Sequence, residues 1–331
     1  MQQYTEDRSE EEALNTGDDL AGIIEIVGNR VYEFKPGDRV AAFHRLGEPH
    51  GGYAPFAIAP ASTTFHLPPN ISFEAGAGIP LAAMTAALSL YQSLGFPLPT
   101  SCDPQAKNEC VLIYGGATTV GAYALQFAKL SGIGTIIAVA GRGLAYVESL
   151  NAATRIIDYR KGFVATEIVG AVKESGYKGK LRVMDCVSAY GSYQEISLAL
   201  VILGGGRIDM LDATADMDES WQFPESVGYT VTFVASAYGR KHPWSTDDRT
   251  AADEEFAYWF YRYISYLLAK KRIRPHPHVV LPDGLDGVVP ALLDLKNNRI
   301  SATKLVVRYA YLRRIQSAKR TNCLQNRSLN I

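Results

Sequence analysis

Residues 111–121 read Val111-Leu-Ile-Tyr-Gly-Gly-Ala-Thr-Thr-Val-Gly121, and this stretch decides the fold class. A short apolar run ends in a turn of small residues, and an amphipathic pattern continues from Val120 to Leu130. The apolar run predicts a buried strand, and the pattern after it predicts a helix. A strand that passes through a small-residue turn into a helix is the context in which dinucleotide phosphates bind.

The turn has the residue types that a phosphate site needs. Gly115 and Gly116 allow a tight turn with close backbone approach, and Gly121 lets the helix pack closely on the strand. Free N–H groups at the helix start favour a pyrophosphate, and Thr118 and Thr119 add hydroxyl donors. The alternative is a glycine-rich turn that binds no ligand.

The flanking sequence alternates between apolar strands and amphipathic helices. The predicted strands are 111–114, 135–140, 155–158, 181–185, 207–211 and 230–235, and the predicted helices are 81–94, 120–130, 144–150, 168–173 and 196–203. Continuous apolar strands that alternate with helices predict an α/β fold with a doubly wound parallel sheet.

The residues before this block predict a small β domain. Strands are expected over 20–28, 39–43 and 51–58, with a Lys35-Pro-Gly-Asp38 turn and an edge position for the strand that contains Pro55. After the α/β block we expect a long helix over 251–271, a helix near 286–295 and a strand over 304–308. That last strand could return to the β domain.

The two ends differ in charge from the rest of the chain. Residues 1–17 carry five acids and one base, and residues 311–331 carry five bases and no acid, so both are expected to be solvated tails. Electrostatic docking arms are the alternative for either end.

Composition excludes several classes of protein. The 331 residues predict two domains, and the formal charge of −1 provides no basic field for nucleic acid. The sequence contains no run of 18 apolar residues, so it predicts no membrane span. Its N-terminus lacks a secretory signal. Four scattered cysteines do not predict a disulfide framework, which favours a reducing, cytoplasmic setting.

The end of the second predicted strand discriminates between cofactors. An NAD site usually has an Asp or Glu here for the ribose hydroxyl. This chain instead reads Ala138-Val-Ala-Gly-Arg142-Gly143, with no acid and with an arginine suited to a 2′-phosphate. The sequence therefore predicts NADP(H), the alternative being a solvated loop arginine.

Two kinds of catalytic site are not predicted. A catalytic zinc needs three protein ligands around an open position, and the six histidines and four cysteines form no compact ligand cluster in the sequence. We therefore expect no metal. No Gly-x-Ser-x-Gly motif follows a strand, so the α/β-hydrolase reaction lacks a nucleophile.

A series of short motifs covers residues 18–310. They are Asp19-Leu-Ala-Gly22 with Val27-Gly28, Phe34-Lys-Pro-Gly-Asp-Arg-Val40, Gly51-Gly-Tyr-Ala54, Leu67-Pro68, Glu74-Ala75 with Pro80 and Thr85-Ala86, Tyr114 to Gly121, Ile157-Asp-Tyr-Arg160, Asp185-Cys186 and Lys304-Leu-Val-Val-Arg308. In this order they resemble the zinc-independent, quinone-oxidoreductase-like medium-chain dehydrogenase/reductases. The nearest resemblance is to the fungal trans-acting enoyl reductases that serve polyketide synthases.

The resemblance implies a Rossmann domain over 96–240 and a GroES-like catalytic domain over 18–95 and 241–310, with a cleft between them. It also implies several dozen residues before Asp19, so the GroES-like domain is expected to be truncated at its N-terminus. The implied reaction is hydride transfer from NADPH to an activated carbon–carbon double bond of a small or carrier-bound acyl substrate. A polyketide synthase is the implied partner and a monomer the implied state, with a dimer through the sheet edge as the alternative.

The resemblance also assigns site residues. Those for the cofactor are Gly115, Gly116, Ala117, Thr118, Thr119, Val120, Gly121, Ala140, Gly141, Arg142, Gly143, Tyr159, Leu211, Asp212, Ile300 and Ser301. Those for the acyl substrate are Thr85, Ala235, Ser236, Ala237 and Tyr238. Thr85 and Tyr238 are the candidate catalytic groups, and a structural role is the alternative for each.

Two other functions remain open from the sequence. The chain could bind NADPH without catalysis, as a partner protein, or it could reduce quinones and carbonyl compounds generally. The aromatic residues of 256–268 are spaced as in a helix, and we interpret them as core rather than as a binding site.

Overall fold

The computed structural model describes residues 17–211, 221–241 and 249–309. The predicted acidic lead before Gly17 and the basic tail from 311 lie outside these residues. Within them the strands form a six-stranded sheet, a three-stranded sheet and a two-stranded sheet. The six-stranded sheet carries the site.

The six-stranded sheet is parallel throughout and has the order β6-β5-β4-β7-β8-β9. Its strands are β4 (Cys110–Tyr114), β5 (Thr135–Ala140), β6 (Arg155–Asp158), β7 (Leu181–Asp185), β8 (Gly206–Leu211) and β9 (Val227–Thr232). This is the strand order of a doubly wound dinucleotide-binding sheet, so the predicted fold class is confirmed. In such a sheet the order reverses beside the first strand, here β4, and ligands bind at the carboxyl ends there.

Both faces of this sheet are covered by helices. Val111 and Ile113 of β4 pack in the cluster that contains Phe127, whereas Leu112 packs in a second cluster with Ile168. Alternate residues of one strand thus enter opposite cores, as expected for a strand buried on both sides. The helices on the first face include α3 (Thr119–Leu130) and α4 (Leu144–Leu150), and those on the second are α5 (Val164–Glu174) and α6 (Ser192–Ile202).

Two further helices complete the first core. The predicted helix over 81–94 forms α2 (Pro80–Ala87) and then continues as a π-helical turn, Leu88–Ser93. The long helix α7 (Thr250–Ala269) buries Phe256, Phe260 and Tyr261 in the same cluster, so the core interpretation of its aromatic residues is confirmed.

The predicted small β domain forms an antiparallel sheet of β1 (Asp19–Ile23), β2 (Arg39–Phe43) and β3 (Thr64–His66), followed by the short helix α1 (Phe73–Gly76). The strand expected over 20–28 ends at Ile23, because Ile23 pairs with Arg39, the first residue of β2. The strand expected over 51–58 is wrong. That segment is irregular; Pro55 has no N–H to donate, and the N–H of Ile58 bonds to the carbonyl of His50 in the same segment.

The end of the described chain differs in detail from expectation. The strand expected over 230–235 stops at Thr232, and Val234–Tyr238 forms a 3-10 turn instead. Helix α8 (Val288–Lys296) follows β10 (His278–Leu281), and β11 (Lys304–Val307) pairs with β10 in parallel. The last strand therefore joins a two-stranded sheet and not the β1-β2-β3 sheet, although α1 packs against β10.

Asp19 joins three parts of the fold. One of its carboxylate oxygens accepts the N–H of Leu81 at 2.6 Å, in the first turn of α2, and the other pairs with the ammonium of Lys304 in β11. Because Pro80 has no N–H to donate and Ile79 makes no side-chain cap bond, Asp19 acts as the cap of α2 from a distant strand.

Among the described residues, only Phe73–Ser93 is long and apolar enough to cross a membrane, and 72% of the 18-residue window that meets this criterion is buried inside the protein. Buried core helices of other proteins pass the same criterion.

We expect the substitution Asp19→Ala to lower the free energy of unfolding by about 2 kcal/mol, since it leaves a helix-start N–H and a lysine without their partner. Urea unfolding measures this. The control is Asp294→Ala, which removes an exposed ion pair with Arg299 and is expected to cost at most about 0.5 kcal/mol. Equal losses in the two variants would contradict the joining role of Asp19.

Candidate functional site

The turn between β4 and α3 is closed by backbone hydrogen bonds. The N–H groups of Gly115 and Gly116 both donate to the carbonyl of Val139 in β5, at 3.0 and 2.9 Å. Thr118 caps α3, because its hydroxyl accepts the N–H of Gly121 at 3.0 Å. The turn is thus held against the sheet on one side and against the helix on the other.

Two of its glycines are required by the geometry. Gly115 has a φ of +82°, which favours glycine. A Cβ on Gly121 would lie 2.3 Å from the carbonyl oxygen of Gly115, well inside van der Waals contact. Helix α3 can therefore approach β4 this closely only with glycine at position 121.

The helix start leaves backbone donors free. Among the described residues, the N–H groups of Thr119 and Val120 have no protein acceptor, as is usual in a first helical turn. No acidic side chain occurs between Gly115 and Gly121, so a bound phosphate would meet donors and the positive end of the helix dipole. The turn fits a pyrophosphate.

The residues after β5 lie against the same turn. A Cβ on Gly143 would be 2.5 Å from that of Ala117 and 2.9 Å from that of Ala302, so Gly143 lies between the turn and the segment that contains Ile300 and Ser301. A Cβ on Gly141 would lie 2.4 Å from the ring of Tyr159. Four segments of the chain thus meet at the carboxyl edge of the sheet: the turn, residues 141–143, Tyr159 and residues 300–302.

Charged groups of both signs lie at this edge. Arg142 is exposed and donates to the backbone carbonyl of Asn298 at 2.6 Å. A guanidinium has five N–H donors, so this bond leaves others for an anion. Asp158, at the end of β6, pairs with Arg160, which lowers the pKa of that carboxyl to about 2 and keeps it ionised.

The loop after β7 forms the other side of the crevice. The buried carboxylate of Asp185 accepts the N–H groups of Val187 and Ser188 and the hydroxyl of Ser192, at 3.0, 3.0 and 2.6 Å. The Ser188 hydroxyl in turn accepts the N–H of Leu211 at 3.1 Å, which ties the end of β8 to this loop.

Cys186 is the thiol nearest the turn. It hydrogen-bonds Thr118, and burial together with Asp185 and Asp209 raises the pKa of its thiol. Cys186 is therefore a neutral thiol and not an activated nucleophile.

The predicted acyl pocket residues lie on α2 and on the 3-10 turn after β9, and these two elements pack together. Ala235, Ser236 and Ala237 are buried, so they contribute mainly to packing. The hydroxyl of Thr85 donates to the carbonyl of Leu81 in its own helix at 2.8 Å. That bond uses the hydroxyl hydrogen, so Thr85 can offer a ligand only an acceptor.

Tyr238 has different surroundings. Its phenol oxygen accepts the backbone N–H of Leu46 at 2.9 Å, and Arg240 acts on it by hydrogen bonding and charge in the sense that lowers its pKa. Burial outweighs these contacts and raises the pKa of Tyr238, so the phenol stays protonated. No acceptor for its hydrogen lies among the described residues, so the phenol can donate.

The structure brings together residues 115–121, 140–143 and Tyr159, with 300–301 adjacent, and ties Leu211 to the loop after β7. Thr85 and Tyr238 lie on α2 and on the 3-10 turn after β9, two elements that pack against each other. Asp212 lies outside the described residues. The sequence interpretation missed the Asp185 hydrogen bonds, although Asp185-Cys186 was among the motifs. It also missed Arg240, for which the sequence held no signal.

In 17–211, 221–241 and 249–309, no group of three or more His, Cys, Asp or Glu side chains is placed to hold a metal ion.

Comparison with curated proteins decides the family. A trans-enoyl reductase from Gibberella fujikuroi is 36% identical over 277 residues, which cover 83% of this chain and 77% of that protein. A trans-enoyl reductase from Alternaria alternata is 31% identical over 299 residues, covering 88% and 82%. This chain belongs to the trans-enoyl reductase family. A search against models of known protein families finds no match.

Solved structures share the fold of this family member. An NAD-dependent alcohol dehydrogenase has a TM-score of 0.67 at 21% identity, over 90% of this chain and 83% of its own. A quinone oxidoreductase from Pseudomonas syringae pv. Tomato has a TM-score of 0.65 at 21% identity, over 88% and 82%. The predicted fold, a doubly wound parallel sheet accompanied by a small β sheet, is thus shared with these solved structures.

We expect Gly121→Ala to lower the free energy of unfolding by about 2 kcal/mol, because the new methyl group forces α3 away from β4. The matched control is Gly170→Ala in the middle of α5, where a Cβ would meet nothing within 4 Å. That change is expected to stabilise the protein by about 0.5–1 kcal/mol. Thermal unfolding distinguishes the two, and similar shifts would show that the close approach is not required.

Proposed function

We propose that this trans-enoyl reductase family member uses NADPH to reduce the α,β double bond of an unsaturated thioester. The observation that carries the proposal is the turn of residues 115–121, whose free N–H groups and forced glycines fit a dinucleotide pyrophosphate. Membership of a family named for enoyl reduction supplies the reaction class.

The chain's own residues would hold the cofactor in sequence along the sheet edge. Ala117 to Val120 would bind the pyrophosphate, Arg142 the 2′-phosphate, and Tyr159 would flank the adenine. Leu211, Ile300 and Ser301 would lie towards the nicotinamide. NADPH supplies a hydride when it is bound in this way.

After hydride reaches the β carbon, negative charge develops on the thioester carbonyl and the α carbon must gain a proton. Tyr238 is the group best placed to give it. Its oxygen accepts from Leu46, which stabilises the phenolate that would form, and its hydrogen is free to transfer. Thr85 would line the pocket without a catalytic role, because its hydrogen is bound to Leu81.

We further propose that the substrate is a polyketide-type acyl chain on a carrier and that the enzyme acts in trans, as a monomer, on a polyketide synthase in the cytoplasm. The name trans-enoyl reductase, which its relatives carry, supports a separate enzyme that acts on a partner's substrate. We also propose that residues 96–240 form the Rossmann domain and that residues 18–95 and 241–310 form the GroES-like catalytic domain.

The test is a fluorescence titration of the purified chain with NADPH, followed by addition of an α,β-unsaturated acyl thioester. The expected result is saturable binding and then oxidation of NADPH. Binding with no oxidation would favour a non-catalytic nucleotide-binding protein, and reduction of quinones but not of thioesters would favour a general oxidoreductase.

Arg142→Ala tests the choice of cofactor. We expect the Kd for NADPH to rise about tenfold, with the Kd for NADH unchanged, because one charge-assisted contact to the 2′-phosphate is lost. The control is Arg155→Ala, at the start of β6 and paired only loosely with Glu174 at 4.0 Å. An equal effect on both nucleotides would argue against a contact with the 2′-phosphate.

Tyr238→Phe tests the proton donor. We expect kcat for thioester reduction to fall about 100-fold, with the affinity for NADPH unchanged. Tyr229→Phe, on the exposed face of β9, removes an equivalent hydroxyl and is expected to leave kcat within about twofold. A wild-type rate in Tyr238→Phe would assign the proton to another donor.

A further inference from the structure

A histidine–aspartate pair, His44 and Asp18, lies just beyond the end of the β1–β2 ladder, and the residues on either side of His44 contact Tyr238. Asp19 is opposite Phe43 in the ladder, so Asp18 comes opposite His44, whose N–H donates to the Asp18 carbonyl at 2.8 Å. The His44 side chain is almost fully buried, and its Nδ1 lies 3.5 Å from Oδ1 of Asp18. The register of two short strands thus creates the pair.

The hydrogen bonding of His44 requires a proton between these two groups. Its Nε2 lies 2.9 Å from the carbonyl oxygen of Pro49, which can only accept, so Nε2 carries a hydrogen. In a neutral imidazole Nδ1 is then an acceptor, and it faces a carboxylate oxygen, which is another acceptor. Both atoms are buried and neither has another partner in the part of the chain that the structure describes. Two unpaired buried acceptors are costly, and a single proton held between them satisfies both.

The surroundings of Asp18 act on its pKa in both directions. Burial raises the pKa of the Asp18 carboxyl, and the neighbouring Asp19 also raises it, whereas His44 and Lys304 of β11 lower it. Burial, and after it the charge of Asp18, raises the pKa of Tyr53 on the loop that follows β2. Burial also raises the pKa of Tyr238, and Asp18 adds to it in the same direction. The net effect on Asp18 is a raised pKa, which is consistent with a proton held by the pair.

The residues around His44 connect the pair to Tyr238. The ring of Phe43 lies 5.4 Å from that of Tyr238, and the N–H of Leu46 donates to the Tyr238 oxygen. Arg45 lies over the Tyr238 ring at 5.6 Å, and Arg240 donates to the Leu46 carbonyl at 2.8 Å. The Asp18 side chain keeps 24% of its surface exposed, so the pair can exchange its proton with water.

We propose that His44 and Asp18 are positioning residues that hold one proton and return it to Tyr238 after each reduction, an inference that rests on the proposed function. The Tyr238 O–H bond breaks as the α carbon gains its proton, and the electron pair stays on the phenolate oxygen. The phenolate then takes the proton held by the pair, through bound water, and the pair regains one from solvent at Asp18. The hydride and both electrons come from NADPH, so one proton from water is consumed for each double bond reduced.

Asp18→Asn tests this proposal. The asparagine amide can still donate to Nδ1 of His44, so the contact persists, but it has no transferable proton. We expect the rate of NADPH oxidation with an enoyl thioester to fall about tenfold. The solvent deuterium isotope effect on this rate should rise, because proton transfer to Tyr238 becomes rate-limiting. The isotope effect of 4-deuterated NADPH on the same rate should shrink, because hydride transfer then limits it less. A purely structural disturbance would slow hydride transfer instead and would preserve or increase the deuteride effect.

The matched control is Asp38→Asn. Asp38 also faces a histidine, His66 at 3.3 Å, but the His66 side chain is exposed whereas that of His44 is buried. Asp38→Asn removes the same negative charge as Asp18→Asn. It is expected to leave the rate and both isotope effects unchanged. Melting temperature and the Kd for NADPH should match the wild type in both variants. If Asp18→Asn does not fold, His44→Gln replaces it, since glutamine can still donate to Pro49 but cannot hold the proton.

An NMR measurement on the resting protein tests the shared proton independently of the kinetics. The ¹⁵N chemical shift of the His44 Nδ1 is expected to report a shared proton in the wild type and an ordinary neutral acceptor in Asp18→Asn. Identical Nδ1 shifts, or isotope effects in Asp18→Asn that equal those of Asp38→Asn, would overturn the role of the pair. A wild-type protein that oxidises no NADPH with any enoyl thioester would overturn the proposed function first, and this inference with it.

Discussion

The close approach of α3 to β4 is the constraint on which the site depends. Gly121 lies directly against the Gly115 carbonyl, and no side chain fits between them. This contact aims the free N–H groups of the helix start at the carboxyl edge of the sheet, where the strand order reverses. It also sets the position of Ala117, against which Gly143 packs. A turn that fits a phosphate thus arises from backbone geometry, with side chains added around it.

The second organising contact is the carboxylate of Asp19. It belongs to the β1-β2-β3 sheet, but its partners are the start of α2 and Lys304 in the last strand. Because α2 packs against both α3 and the 3-10 turn that contains Tyr238, this one side chain relates the β sheet to both parts of the site. The neighbouring Asp18 lies just beyond the end of the same ladder, so structural anchoring and the proposed proton store come from adjacent residues.

Much of the α/β half could be predicted from the sequence. Strand Thr135–Ala140 is an almost continuous apolar run between turn signals, and Leu181–Asp185 is mostly apolar; the bounds of both match the prediction. Buried parallel strands have no polar face to blur the pattern, so local sequence is sufficient. The β domain was harder, because a short strand exists only where a neighbour pairs with it. The segment around Pro55 has the composition of a strand and no such ladder.

The sequence by itself determined the phosphate-binding turn, the absence of an acid after β5 and the family resemblance, because each depends on residues that are close together in the chain. Only the tertiary structure decided which distant groups meet. Gly143 comes between Ala117 and Ala302, and Leu46 donates to Tyr238, although these residues are far apart in sequence. The pairing of His44 with Asp18 also required the strand register. Register and packing depend on the whole fold, and local residue patterns do not encode them.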